Sequence, residues 1–295
     1  MSKYKSAIIL FVIYLVYMLL WLLIALNPLE HPGGQDLSPL IPLENAFIES
    51  LIMFFVIWLI MPLIGIALSY ILTPVFLMIH KKLVGRNLEY GIQDIETPED
   101  RFPLSRSVFP ALMAINFSLT LALIEPFQFF VISRDTLESG EFSGIILDTF
   151  LLANMFTILV AFLLFIPVWF ILDADIVYSN INKSKQTGEP VEAKTVGGWY
   201  LILLKGYAGI GVIFAYTSFL IEIISLTLQE GPGLFNFIIL LLNFVPFPVL
   251  IALASMPCLI FLDMTKPQRN KYTRKWANKL GIVKHVEVQF KEIEK

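Results

Sequence analysis

Apolar residues in this chain run in six long stretches separated by short polar segments. A helix rises 1.5 Å per residue, so about 20 apolar residues cross a hydrocarbon core ~30 Å thick. Six stretches are long enough: residues 7–26, 47–79, 108–133, 145–172, 199–226 and 234–262. The pattern predicts an all-α integral membrane protein with six transmembrane helices arranged as three helical hairpins. Residues 1–263 form the transmembrane domain and 264–295 a basic tail. The first stretch follows only Lys3 and Lys5 and has no small-residue cleavage site, so it is read as a retained helix.

The polar segments then set an orientation. Nineteen of the 21 Lys and Arg fall before span 1, in 80–107, in 173–198 and after 263. Arg134 alone lies in the opposite loops, and Lys205 sits inside a span. By the positive-inside rule both termini face the cytoplasm. The outer loops carry Glu30, Asp36, Glu44, Asp135, Glu138, Glu141 and Glu230, which makes that face negative.

Composition excludes other classes. The chain is 57% hydrophobic and 15% charged, too few charges to cover a water-facing globule of 295 residues. A net charge of −3 and a pI near 5.7 argue against a nucleic-acid partner. Cys258 is alone and the three histidines are far apart, so no disulfide framework, metal site or cofactor is expected. No HExxH, GxSxG or GxxxxGK[ST] motif occurs, and an enzyme is not expected.

The inner ends of the three even-numbered spans share a pattern: TPVFLMIHKKLVGRN from Thr73, IPVWFILDADIVYSN from Ile166 and MPCLIFLDMTKPQRN from Met256. In register these align Pro74, Pro167 and Pro257, then His80, Asp173 and Asp263, then Asn87, Asn180 and Asn270. A threefold internal repeat is the expectation. Each proline removes a backbone donor and kinks its helix, and the carbonyl it frees needs another partner in a bilayer. The His/Asp/Asp set, with Asp175 beside it, is read as a ring at the cytoplasmic boundary able to hold a cation or a partner. Mitochondrial carriers share the six-span, three-repeat outline, but their Pro-x-acid-x-x-base motif is absent from every odd span, so the chain is not assigned to that family.

Charged residues inside spans are functional candidates because inserting one costs at least ~2.5 to 3.5 kcal/mol. Glu125, Glu49, Asp148 and Glu222 all approach the outer boundary and form a candidate cation or substrate site, with Glu125 deepest and next to Pro126. Lys205 is expected to snorkel to the cytoplasmic headgroups. Asn116 and Asn243 are read as bonds between helices. Gly206, Gly209, Gly211 and Ala215, Gly65 with Ser69, and Ala252 with Ser255 are read as close-packing faces and as surfaces for a protein partner.

In the tail, Tyr272, Trp276 and Leu280 recur opposite Arg274, Lys275 and Lys279, which predicts an amphipathic helix on anionic headgroups, ended by Gly281. Residues 283–291 alternate like a strand without a partner strand in the chain, so a second protein is expected there. The function expected is transport or translocation of a cation or small solute; the alternative is a non-catalytic structural or assembly subunit of a larger membrane complex.

Overall fold

A computed structural model describes residues 3–26, 45–85, 88–92, 102–123, 142–180, 191–192, 194–230, 247–282 and 290–291. The elements are α1 (Lys5–Leu26), α2 (Asn45–Leu83), β1 (Leu88–Ile92), α3 (Ser105–Leu123), α4 (Phe142–Asp173), β2 (Ile176–Asn180), β3 (Val191–Glu192), β4 (Lys194–Thr195), α5 (Val196–Glu230), α6 (Phe247–Ala254), α7 (Met256–Met264), α8 (Lys266–Lys279) and β5 (Phe290–Lys291).

Among the described residues four helical stretches are long and apolar enough to cross a membrane: Val56–Leu83, Met155–Asp173, Val196–Ser218 and Phe247–Met264, the last combining α6 and α7. α1 adds a shorter apolar stretch, Lys5–Leu20. The connections 27–44, 124–141 and 231–246 lie outside the described residues.

α4 is the central helix, packed against α2, α3, α5 and α8. Its side chains Ile158, Phe162, Phe165, Ile166 and Trp169 are buried, and with Ile115 and Leu119 of α3 they fill the bundle core. Gly65 lets α2 approach α4, because a Cβ there would meet Phe162 and Ile166 at 3.2 Å. Ser118 and Thr157 hydroxyls join α3 to α4 at 2.8 Å. Small residues on α5 divide by face. Ala208, Ala215 and Gly211 pack inward, Gly211 directly against Asn116, whereas a Cβ at Gly206 or Gly209 would meet no described atom within 4 Å, on the face shared with Ile202, Ile210 and Ile213. The expected close packing thus holds at Gly65 and Gly211, and among the described residues no neighbour presses on Gly206 or Gly209.

The aligned prolines do different things. Pro74 and Pro167 lie within continuous helices, while Pro257 opens α7 just after a break at Ser255, whose hydroxyl bonds the Ala252 carbonyl. Pro74 has no N–H to offer the Tyr70 carbonyl four residues back. The Tyr272 hydroxyl of α8 donates to that carbonyl instead, at 2.6 Å.

Three strands in segments expected as loops form a sheet at the end of the bundle. β2 lies between β1 and β4, antiparallel to both, with Tyr90 opposite Tyr178. β5 pairs parallel with β3, Val191 opposite Phe290. The expectation that the tail strand lacks a partner in the chain is therefore corrected at 290–291, while 283–289 lie outside the described residues. α8 is a helix as expected, ended by Gly281 at φ +58° with Ile282 N–H bonded to the Ala277 carbonyl, a Schellman turn. Its buried stripe is Arg269, Thr273 and Ala277, packed on α2 and α4, and not the Tyr272, Trp276 and Leu280 face.

Candidate functional site

The described residues of the three aligned motifs occupy one end of the bundle, and His80, Asp173 and Asp263 meet partners within the chain. α4 stops at Asp173 because the chain turns left-handed at Asp175, φ 56°, leaving the last carbonyls of the helix without partners. α8 supplies them from a distant part of the sequence. Asn270 donates to the Asp173 carbonyl at 2.6 Å, and Arg274 donates Nε–H to the Ala174 carbonyl at 3.0 Å and reaches the Asp175 carboxylate at 3.3 Å. Cations at a helix C-terminus also meet the negative end of its dipole.

The Asp173 side chain is buried between two guanidinium groups. Arg106, from the first turn of α3, donates to both carboxylate oxygens at 3.0 and 2.6 Å. Arg269 donates at 3.2 Å and also holds the Leu262 carbonyl through Nε (3.2 Å) and Nη2 (2.6 Å). Only 1% of the Arg269 side chain is exposed, with its Cζ 4.7 Å from the Phe170 ring centroid. Burial pulls the Arg269 pKa down and Asp173 pushes it back up. It stays charged, since arginine starts so high. A buried cation needs its counter-ion and its acceptors.

The other two motif positions have separate partners. Asp263 accepts from the Tyr4 hydroxyl at 2.7 Å and pairs with Lys3 at 2.8 Å, fixing the start of the chain to the end of α7. The hydrogen bond to Asp263, with burial second, raises the Tyr4 pKa to about 12, so the phenol stays a donor. His80 is fully buried in an aromatic box of Tyr90, Tyr178, Trp199 and Tyr200, its Nδ1 3.0 Å from the Tyr90 hydroxyl. Burial, then the neighbouring Tyr178 and Tyr200, push the Tyr90 pKa to about 12.

His80, Asp173 and Asp263 are thus three separate clasps in place of the expected ring. Asn180 ends β2 opposite Leu88, and Asn87 lies outside the described residues. No group of three or more His, Cys, Asp or Glu suited to a metal occurs among the described residues. Of the carboxylates expected to form the cation or substrate site, Glu125 lies outside the described residues. Glu49, Asp148 and Glu222 fall on α2, α4 and α5 toward the ends remote from the clasps, and their side chains are outside what is described. Sequence reasoning missed Arg106 and Arg269, whose signal was only that Arg269 precedes an Asn already aligned in the repeat.

No known protein family, curated protein or solved structure matches the chain.

Proposed function

We propose that this chain is a non-catalytic structural or assembly subunit of a larger membrane complex, with its clasped end and both termini in the cytoplasm. The observation that carries the reading is the filled interior. Phe162, Ile166 and Phe170 of α4 are 0% exposed, and the motif charges Asp173, Asp263 and Arg269 are paired within the chain. Among the described residues, side chains buried this fully around α4 stand in contact where a solute would have to pass between α2, α3 and α4. The outer face of α5, with Ile202, Ile210, Ile213 and Phe214 more than 60% exposed and Gly206 among them, is smooth enough for a neighbouring helix to approach. The positive charge count supports the orientation, and the three aligned motifs support descent from a repeated hairpin whose copies have since diverged in their partners.

Transport is the second reading, favoured by the common placement of Glu49, Asp148 and Glu222 at the opposite end from the clasps. One experiment separates the two. The purified chain is reconstituted into vesicles and cation uptake measured, while extracts of native membranes are sized under mild detergent. A subunit runs in a species well above its own 33.6 kDa and gives no uptake above protein-free vesicles. Uptake abolished by Glu125→Gln and Glu222→Gln overturns the proposal in favour of transport.

A further inference from the structure

Arg106 has a second environment besides Asp173. A cavity of about 140 Å³ opens between α3, α4 and α5 beside the clasp, lined among others by Ser105, Arg106 and Phe109 of α3, Trp169 of α4, and Leu201 and Lys205 of α5. A water occupies about 30 Å³ in the liquid, so the space holds about five, or a group with several oxygens and a short carbon stem.

The charges around the cavity share one sign. Among the described residues its ionisable lining is Arg106 and Lys205, with no carboxylate. The Lys205 ammonium lies 4.9 Å from the centroid of the Phe109 ring, and Arg106 Cζ lies 5.9 Å from that of Trp169. Among the described residues Lys205 has no carboxylate within ion-pair distance, in contrast to the cations of the clasps. Asp173 does not cancel the local charge, because it is shared by Arg106 and Arg269, and Lys266 acts on it as well. The first turn of α3 lines the cavity, and a helix N-terminus favours an anion. Lys205 therefore has a role that snorkelling into bulk headgroups does not describe: it points its charge into a built, cationic, aromatic-walled space.

The surroundings select the class of anion. Apolar surface continues from the cavity mouth on both flanking helices, with Val108 of α3 45% exposed and Ile202 of α5 75% exposed. An anion carrying long hydrocarbon chains can place its head in the cavity and its chains along α5 without leaving the bilayer. Basic pockets between transmembrane helices on the cytoplasmic side hold acidic headgroups in this manner.

We propose that this cavity is a binding site for the phosphate group of an anionic phospholipid, held by the Lys205 ammonium and the remaining N–H groups of Arg106, with the acyl chains lying against α5. Lys205 is the group to test, because it is exposed and its removal leaves the Asp173 clasp intact.

The test is native mass spectrometry of the full chain in non-ionic detergent with equal amounts of dioleoyl phosphatidylglycerol and dioleoyl phosphatidylcholine. The wild type should retain the anionic lipid preferentially, and Lys205→Gln should lower that retention by about fivefold, the worth of one basic side chain at an anionic headgroup. Ser105→Glu provides an independent check, since Ser105 is exposed and a carboxylate suits a helix N-terminus. It places a negative charge at the mouth, and should cut retention while melting at the wild-type temperature. Equal retention of the two lipids by the wild type, or unchanged retention in a folded variant, overturns the proposal. Displacement of the lipid by millimolar inorganic phosphate, with equal loss of phosphate binding in Lys205→Gln, overturns the lipid as occupant in favour of a free phosphate.

Discussion

Asp173→Asn is the most informative single change, because it removes charge from the clasp while keeping nearly the same shape. In the native chain the carboxylate neutralises Arg269, whose side chain is 1% exposed, and accepts three guanidinium hydrogen bonds. An amide offers one acceptor oxygen and no charge, so Arg269 loses its counter-ion and keeps the Leu262 carbonyl, its contact with the Phe170 ring and at most a neutral acceptor shared with Arg106. Breaking a buried pair by removing one partner costs about 3 to 5 kcal/mol. For a chain of this size that lowers the melting temperature by roughly ten degrees. Lys3→Ala is the matched control: it breaks the Lys3–Asp263 pair, where Lys3 is 37% exposed, and exposed pairs contribute about 0 to 1 kcal/mol. Arg106→Gln should fall between, since Asp173 and Arg269 still pair without it. Replacing both charges, Asp173→Asn with Arg269→Met, should recover part of the loss, because the uncompensated cation is then gone. The assay is size-exclusion of heated detergent extracts at one heating protocol. An Asp173→Asn variant that melts with Lys3→Ala, or a double variant whose losses simply add, would refute the argument that Asp173 compensates a buried charge.

Three further outcomes follow from particular contacts. Tyr272→Phe keeps the ring edge-to-face with Tyr70 and removes only the donor to the carbonyl that Pro74 frees, so melting should show a loss of about 1 to 3 kcal/mol, the cost of a polar group left unsatisfied. Pro74→Ala in that background restores a helical donor and should recover stability. Gly197→Ala should destabilise by about 1 to 3 kcal/mol, because a Cβ there would meet the Leu172 backbone at 2.6 Å and force α5 away from α4. For orientation, a single cysteine at Glu138 in a Cys258→Ala background should react with an impermeant reagent from outside only. Labelling only from inside would invert the topology.

The helices were legible because their signal is local. Apolar runs predicted 7–26, 145–172 and 199–226, and α1, α4 and α5 occupy Lys5–Leu26, Phe142–Asp173 and Val196–Glu230. The inner polar residues were legible as special but not in their roles, since the role of Asp173 depends on Arg106 and Arg269, 67 and 96 residues away. The buried stripe of α8 escaped notice because two of its three residues, Arg269 and Thr273, are polar, and nothing in their spacing says that a carboxylate awaits one of them. β1 and β2 are five residues each, set in loops dense with charge, and they become strands only by pairing with each other and β4. Lys205 was legible as an isolated charge; the aromatic cavity it faces is a product of three helices meeting.

The filled interior is the claim on which the functional proposal stands, and water access to Ala161 tests it most directly. Ala161 lies on the central helix and is 0% exposed, between Phe162 and the core residue Ile158. A cysteine placed there in a Cys258→Ser background adds a single sulfur and reacts with a charged methanethiosulfonate only if water reaches it as thiolate. The account predicts no modification from either side of the native membrane and full modification after denaturation. Rapid modification of the folded protein from either side would reveal a hydrated path through the bundle and contradict it.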